Sequence, residues 1–359
     1  MTGALRRRRQ SPRNQKREAQ THVVILDGTM SSLEDGLETN AGRTYKMLCE
    51  AAPDLSLYYE AGVQWRSWRS APDVMMGRGI NRQIRRAYGF LATRYRPGDK
   101  IYLLGYSRGA FAVRSLAGVI DQVGLLKAEH SDPQTVRQIY HMYQCGEAKL
   151  DADDTAFIAK RCHPSAPIEM VGVWDTVKAL GLVFPILWRW SAPNHEFHNH
   201  DLGRSIKHGF HALACDETRN SYAPVLWKCP NDWQGRIEQV WFPGSHGDVG
   251  GQLGGFEAAR PLANIPLVWM LERIESCGLT LPEDWRARLV QNPLAPSVGS
   301  WRGFGKLFLI RKKRSLTDGK CERLHHSVYS RQQKRSTPPR ENIAARALQR
   351  WRRPNQPES

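Results

Sequence analysis

The sequence predicts an α/β fold: a mainly parallel sheet covered by helices on both faces. Three observations carry that prediction. Short apolar runs recur between residues 21 and 242, and stretches of helical spacing separate them. Strands that alternate with helices pair in parallel, because each crossover must pass over a face of the sheet. With 359 residues, 41% of them hydrophobic, the chain can bury a sizeable core.

The elements follow in order. Residues 22–26 (HVVIL) form an apolar run that ends in the turn signal Asp27-Gly28-Thr29. Residues 55–61 (LSLYYEA) read as a second strand. Apolar residues at 80, 84, 87, 88, 91 and 95 have helical spacing and stop at Pro97-Gly98-Asp99. Residues 101–104 form a third strand, and residues 110–120 the helix after it. Further strands are expected at 168–174, 207–214 and 237–242, and a buried helix at 262–274. Two stretches interrupt the alternation as cap inserts: about 121–167, polar and helical, and 178–206, apolar and then rich in His and Asn. The domain expected is therefore 21–300, between a basic, disordered segment at 1–20 and a basic extension at 301–359.

The net charge of +17 invites a nucleic-acid reading. Its distribution argues against one. Residues 1–20 carry +6, residues 302–359 carry +12, and residues 21–301 carry −1. The basic ends would attract an anionic membrane surface peripherally; they do not define the middle. The longest apolar stretch, residues 179–188, is half of the roughly 20 residues a spanning helix needs. No secretory signal follows the basic start, so a cytoplasmic origin is expected. Seven cysteines without a CxxC pair read as free buried thiols. The cluster His195, His198, His200 and Asp201 reads as a polar loop, and neither metal nor cofactor is expected.

The chemistry centres on Gly105-Tyr106-Ser107-Arg108-Gly109. Between a strand and a helix, G-x-S-x-G is a nucleophile elbow, and it makes the fold α/β-hydrolase-type. Gly105 and Gly109 let the strand and helix backbones crowd around the turn. A serine hydroxyl needs a base, and the base needs an orienting acid. His246, after a strand in the glycine-rich WFPGSHGDVGG, is the candidate base. Asp175 and Asp216 both end strands and compete as the acid, while Asp248 reads as loop-shaping. The oxyanion donors expected are the backbone N–H of Arg108 and those of Gly28 and Thr29. The apolar residues 180–190 would suit a lid or acyl slot. The function implied is a serine hydrolase of carboxylic esters, a lipase or an esterase on a soluble substrate. A non-enzymatic basic binding protein on the same scaffold is the alternative.

Seven blocks in order carry a resemblance: LDGT (26–29), YYEAGV (58–63), GRGINRQIRRAYGFL (77–91), GYSRGAFAVRSLAGVI (105–120), VGVWDTV (171–177), HALACDETR (211–219) and WFPGSHGDVGG (241–251). Together they are similar to the phospholipase-effector family of the bacterial type VI secretion system. The resemblance implies Ser107 as nucleophile, His246 as base and Asp175 as acid. It also implies a glycerophospholipid substrate, delivery into a target cell, and secretion-machine or immunity partners. The chain departs from the family at Met30, where members usually carry Trp, and in its basic ends.

Overall fold

The computed structural model describes residues 17–62, 78–177, 202–229, 233–301, 310–316 and 321–336. Residues 1–16, the apolar stretch 180–190 and the cluster His195 to Asp201 lie outside the described residues.

Strand β1 (Thr21–Leu26) leads to helix α1 (Asn40–Ala51), then β2 (Ser56–Glu60) and α2 (Arg78–Ala92). Strand β3 (Lys100–Tyr106) runs into α3 (Arg108–Gln122). The first insert holds α4 (Pro133–Cys145) and α5 (Ala152–Arg161), both capped by an aspartate, Asp132 and Asp151. Then come β4 (Ile168–Trp174), β5 (Ile206–Ala214), β6 (Arg236–Phe242), the short α6 (His246–Gly250) and α7 (Arg260–Ser276). The carboxy-terminal part adds β7 (Glu322–Leu324) and α8 (His326–Ser336).

The seven strands form one sheet in the order β2-β1-β3-β4-β5-β6-β7, with every pairing parallel. Residues alternate between its two faces as the pleat requires. Val24, Leu26, Ile101 and Leu103 pack under α2, α3 and α4. Val23, Ile25, Tyr102 and Leu104 pack under α1 and α7. Burial on both faces explains why these strands read as continuous apolar runs.

Two expectations change. The segment beyond residue 301 is not simply appended, because β7 extends the sheet beside β6. The thiols are not all free: Cys229 and Cys321, 92 residues apart in sequence, form a disulfide with Cα atoms 6.4 Å apart. That spacing is within disulfide reach, and no local motif announces it. Cys162 and Cys277 are buried free thiols as expected, while Cys49 is exposed.

The chain order reverses at β1, which lies between β2 and β3. Crevices at the carboxyl ends of strands open at such a switch point. There α3 begins against the end of β1: a Cβ on Gly109 would lie 2.1 Å from the Leu26 carbonyl oxygen. Gly109→Ala is therefore expected to destabilise the fold by about 3 kcal/mol, because backbone cannot retreat from backbone. Urea unfolding measures it, and an unchanged midpoint would contradict this packing.

Candidate active site

Ser107 sits between β3 and α3 with φ 57° and ψ −120°. A non-glycine residue holds such angles only where its surroundings over-determine them. Here its N–H donates to the Trp174 carbonyl at 3.0 Å. A Cβ on Gly105 would meet the Gly109 carbonyl oxygen at 2.7 Å, so the strand and helix close tightly around the turn. The turn lifts the Ser107 side chain to the sheet edge, where the residue is 7% exposed.

His246 follows β6 and is the first residue of α6, so the glycine-rich segment after the strand forms a short helix. Ser245 and Asp248 form a reciprocal cap beneath it. The Asp248 carboxylate accepts the Ser245 N–H and hydroxyl at 2.7 and 2.8 Å. It also accepts the Ser297 hydroxyl at 2.6 Å and the Val298 N–H at 2.7 Å. Asp248 thus shapes the loop and does not reach the imidazole through its carboxylate. The His246 ring lies 4.9 Å from the Tyr106 ring and meets the Tyr222 ring edge-on at 4.9 Å. Its backbone N–H donates to Glu217 Oε2 at 3.2 Å.

The ring nitrogens of His246 face two side chains. Nε2 is 2.8 Å from Ser107 Oγ, and Nδ1 is 2.6 Å from Asp175 Oδ2. A carboxylate only accepts, so Nδ1 carries the proton and Nε2 is free to accept from the serine hydroxyl. Asp175 directly follows β4, has φ 40° and is fully buried. The competing Asp216 is exposed, and its Oδ2 accepts the Gly244 N–H at 2.8 Å. Of the two acids, Asp175 is the one brought to the histidine.

The loop after β1 lies on the elbow: a Cβ on Gly28 would stand 2.6 Å from the Tyr106 ring and 3.4 Å from Ser107 Cβ. The Gly28 N–H, expected as an oxyanion donor, instead donates to Asp27 Oδ1 at 2.7 Å. Asp27 Oδ2 also accepts the hydroxyls of Thr39 and Tyr59, each at 2.7 Å. That carboxylate freezes the loop, with Thr29 next in line. Arg108 is the first residue of α3, where backbone N–H groups lack an acceptor within the helix.

Electrostatics follow burial. Burial pushes the His246 pKa below its ordinary 6.5, and Asp175 opposes this in part. Burial alone would raise Asp175, but the Arg314 charge and the His246 hydrogen bond outweigh it and hold the carboxyl well below the usual range. Arg314, Glu217, Tyr106 and Tyr222 escaped the sequence reading. Glu217 and Tyr222 do stand in or beside the HALACDETR block, but Arg314 was one basic residue among sixteen in residues 302–359.

The family model for the catalytic domain of Tle1-like phospholipase effectors of the type VI secretion system (T6SS) matches residues 20–273. An uncharacterized protein of Saccharomyces cerevisiae is 24% identical over 244 residues, covering 60% of this chain and 34% of its own. A solved structure of an uncharacterized Pseudomonas aeruginosa protein has 15% identity and a TM-score of 0.42, covering 76% of this chain and 49% of its own. The Tle1 effector solved bound to the VgrG spike has 16% identity and a TM-score of 0.30, covering 65% and 51%. The chain thus spans about a third of the yeast protein and about half of each solved chain. The family model spans most of the present sequence, its limits enclosing Ser107, Asp175 and His246, and on that match the chain belongs to the Tle1-like phospholipase effector family of the type VI secretion system.

Proposed function

We propose that the protein is a serine hydrolase that cleaves carboxylic ester bonds of glycerophospholipids. The observation that carries this reading is the hydrogen-bonded chain Ser107 Oγ, His246 Nε2, His246 Nδ1, Asp175 Oδ2. In this reading His246 takes the serine proton as Oγ attacks the ester carbonyl. The alcohol leaves with that proton and an acyl group remains on Ser107. Water, deprotonated by His246, then releases the fatty acid. Asp175 holds the ring and stabilises the imidazolium between these transfers.

The developing oxyanion needs donors already in place. The Arg108 N–H at the start of α3 supplies one, and the Thr29 N–H the second. Gly28 serves by its small size, since its own N–H is bound to Asp27. The glycerophospholipid as substrate, and delivery by a type VI machine into a target cell, follow from family membership. The Tle1 effector is bound to a VgrG spike in its solved structure, and an analogous spike partner is proposed for this chain. No described helix is long and apolar enough to cross a membrane.

Ser107→Ala is expected to lower phospholipid hydrolysis by at least about 10³-fold with circular dichroism unchanged. Fluorophosphonate labelling, with mass spectrometry of the modified peptide, is expected to mark Ser107 in the wild type and in neither Ser107→Ala nor His246→Ala. A folded wild type that takes no label would overturn the reading. On a soluble ester, the ascending limb of kcat/KM against pH is expected below 6.5, because the His246 pKa is lowered. Activity then persists above that limb and is lost as falling pH protonates the imidazole. A limb above pH 7 would contradict the role given to His246.

A further inference from the structure

We propose that Arg314, from the basic segment beyond the matched domain, is a positioning residue that locks the Asp175 carboxylate in line with His246. The proposal rests on the serine-hydrolase reading above. Arg314 lies 41 residues past the end of the family match at residue 273. Nothing in its local sequence, Arg311-Lys312-Lys313-Arg314, distinguishes it from a solvated basic run.

Its side chain is nonetheless 5% exposed. The guanidinium grips the carboxylate with both arms. Nη1 donates to Asp175 Oδ1 at 2.6 Å, and Nη2 to Oδ2 at 2.9 Å. The same two nitrogens reach backbone carbonyls, Nη1 to Ala214 at 2.8 Å and Nη2 to Tyr222 at 2.6 Å. Asp175 Oδ1 also accepts the Ala214 N–H at 3.0 Å, and Oδ2 faces His246 Nδ1 at 2.6 Å. Each carboxylate oxygen thus has two partners, and rotation about χ2 would break several of these bonds at once. A planar fork fits a carboxylate in this way, and an ammonium does not.

The segment is itself anchored. Arg311 bridges Arg219 in antiparallel fashion. The Lys312 N–H donates to the Thr218 carbonyl at 2.8 Å, and the Asn220 N–H to the Ile310 carbonyl at 3.1 Å. Residues 310–316 therefore cross the carboxyl ends of the strands and bring Arg314 down onto Asp175.

A second consequence concerns charge. Asp175 is fully buried, and a buried carboxylate must be paired. Around the histidine, Arg219 lowers its pKa and Glu217 raises it, the two being paired at 2.7 Å. His211, beside Asp175, is held neutral by burial, its pKa lowered to about 3. Burial likewise keeps the Cys215 thiol protonated, its pKa raised to about 12, and pushes the Tyr106 phenol well above its ordinary value. Arg314 therefore does two things: it keeps Asp175 ionised, and, because its Nη2 and His246 Nδ1 meet the same Oδ2, its charge opposes a cation on the ring. The base stays unprotonated to lower pH than an Asp–His pair alone would allow.

The test compares the full-length wild type with Arg314→Ala, Arg314→Lys and the exposed Lys313→Ala. The readout is kcat/KM for p-nitrophenyl butyrate across pH, with and without methylguanidinium. Arg314→Ala is expected to lose about 10²-fold in kcat/KM, the scale of a misplaced catalytic group. Its ascending limb should move up by about one to two pH units as the cation's repulsion of the imidazolium disappears. Methylguanidinium should restore part of the activity and return the limb towards the wild-type position. Arg314→Lys keeps the charge without the fork, so its kcat/KM should fall while its limb stays near wild type. Lys313→Ala should behave as wild type. A folded Arg314→Ala with wild-type kcat/KM overturns the proposal. So does a loss with an unmoved limb and no rescue, which would mark a merely structural role. If Arg314→Ala does not fold, Arg314→Lys decides, and unchanged kcat/KM in that variant overturns it. A wild type with neither turnover nor a labelled Ser107 overturns the hydrolase reading, and this inference with it.

Discussion

The candidate site depends on one electrostatic constraint, a fully buried carboxylate at the end of β4. Asp175 has no access to water, so its charge has to be met by donors already in place. Three elements converge to meet it: the imidazole of His246 from α6, the Ala214 N–H from the end of β5, and the Arg314 guanidinium from residues 310–316. Breaking such an arrangement by removing one partner is costly, because the remaining charge cannot resolvate. The carboxylate therefore fixes the relative placement of β4, β5, the start of α6 and a segment far along the chain.

Strain is concentrated at the same edge. Ser107 and Asp175 are two of the three described non-glycine residues with positive φ, and the third, Met30, lies in the loop beside them. Each sits at or just past the carboxyl end of a strand. The sheet can hold these conformations because it is buried on both faces, and its strands cannot slide to relieve them. Asp27 contributes in a similar way: its carboxylate binds the hydroxyls of Thr39 and Tyr59 and fixes the loop on which Gly28 approaches the elbow.

The end of the family match and the physical boundary of the site do not coincide. The family match ends at residue 273, while β7, Cys321 of the Cys229–Cys321 disulfide and Arg314 lie past it and contact residues within it. The basic extension thus carries two kinds of residue. Lys312 and Lys313 are exposed and give the segment its charge. Arg314 is turned inward and is part of the folded structure.

The sequence alone determined the alternating strands and helices, because burial on both sheet faces writes itself as apolar runs and helical spacing. It also marked the elbow, since the glycines flanking Ser107 are needed wherever two backbones pass this closely. It singled out His246 and narrowed the acid to two strand ends. Only the tertiary structure brought Asp175 rather than Asp216 to the histidine, because that choice depends on which strand end faces α6. Only it showed that the Gly28 N–H is bound to Asp27, since that hydrogen bond depends on a side-chain rotamer. Arg314 and the Cys229–Cys321 pair were equally hidden. Their partners lie 139 and 92 residues away, and no local pattern encodes a contact that exists only after the sheet has formed.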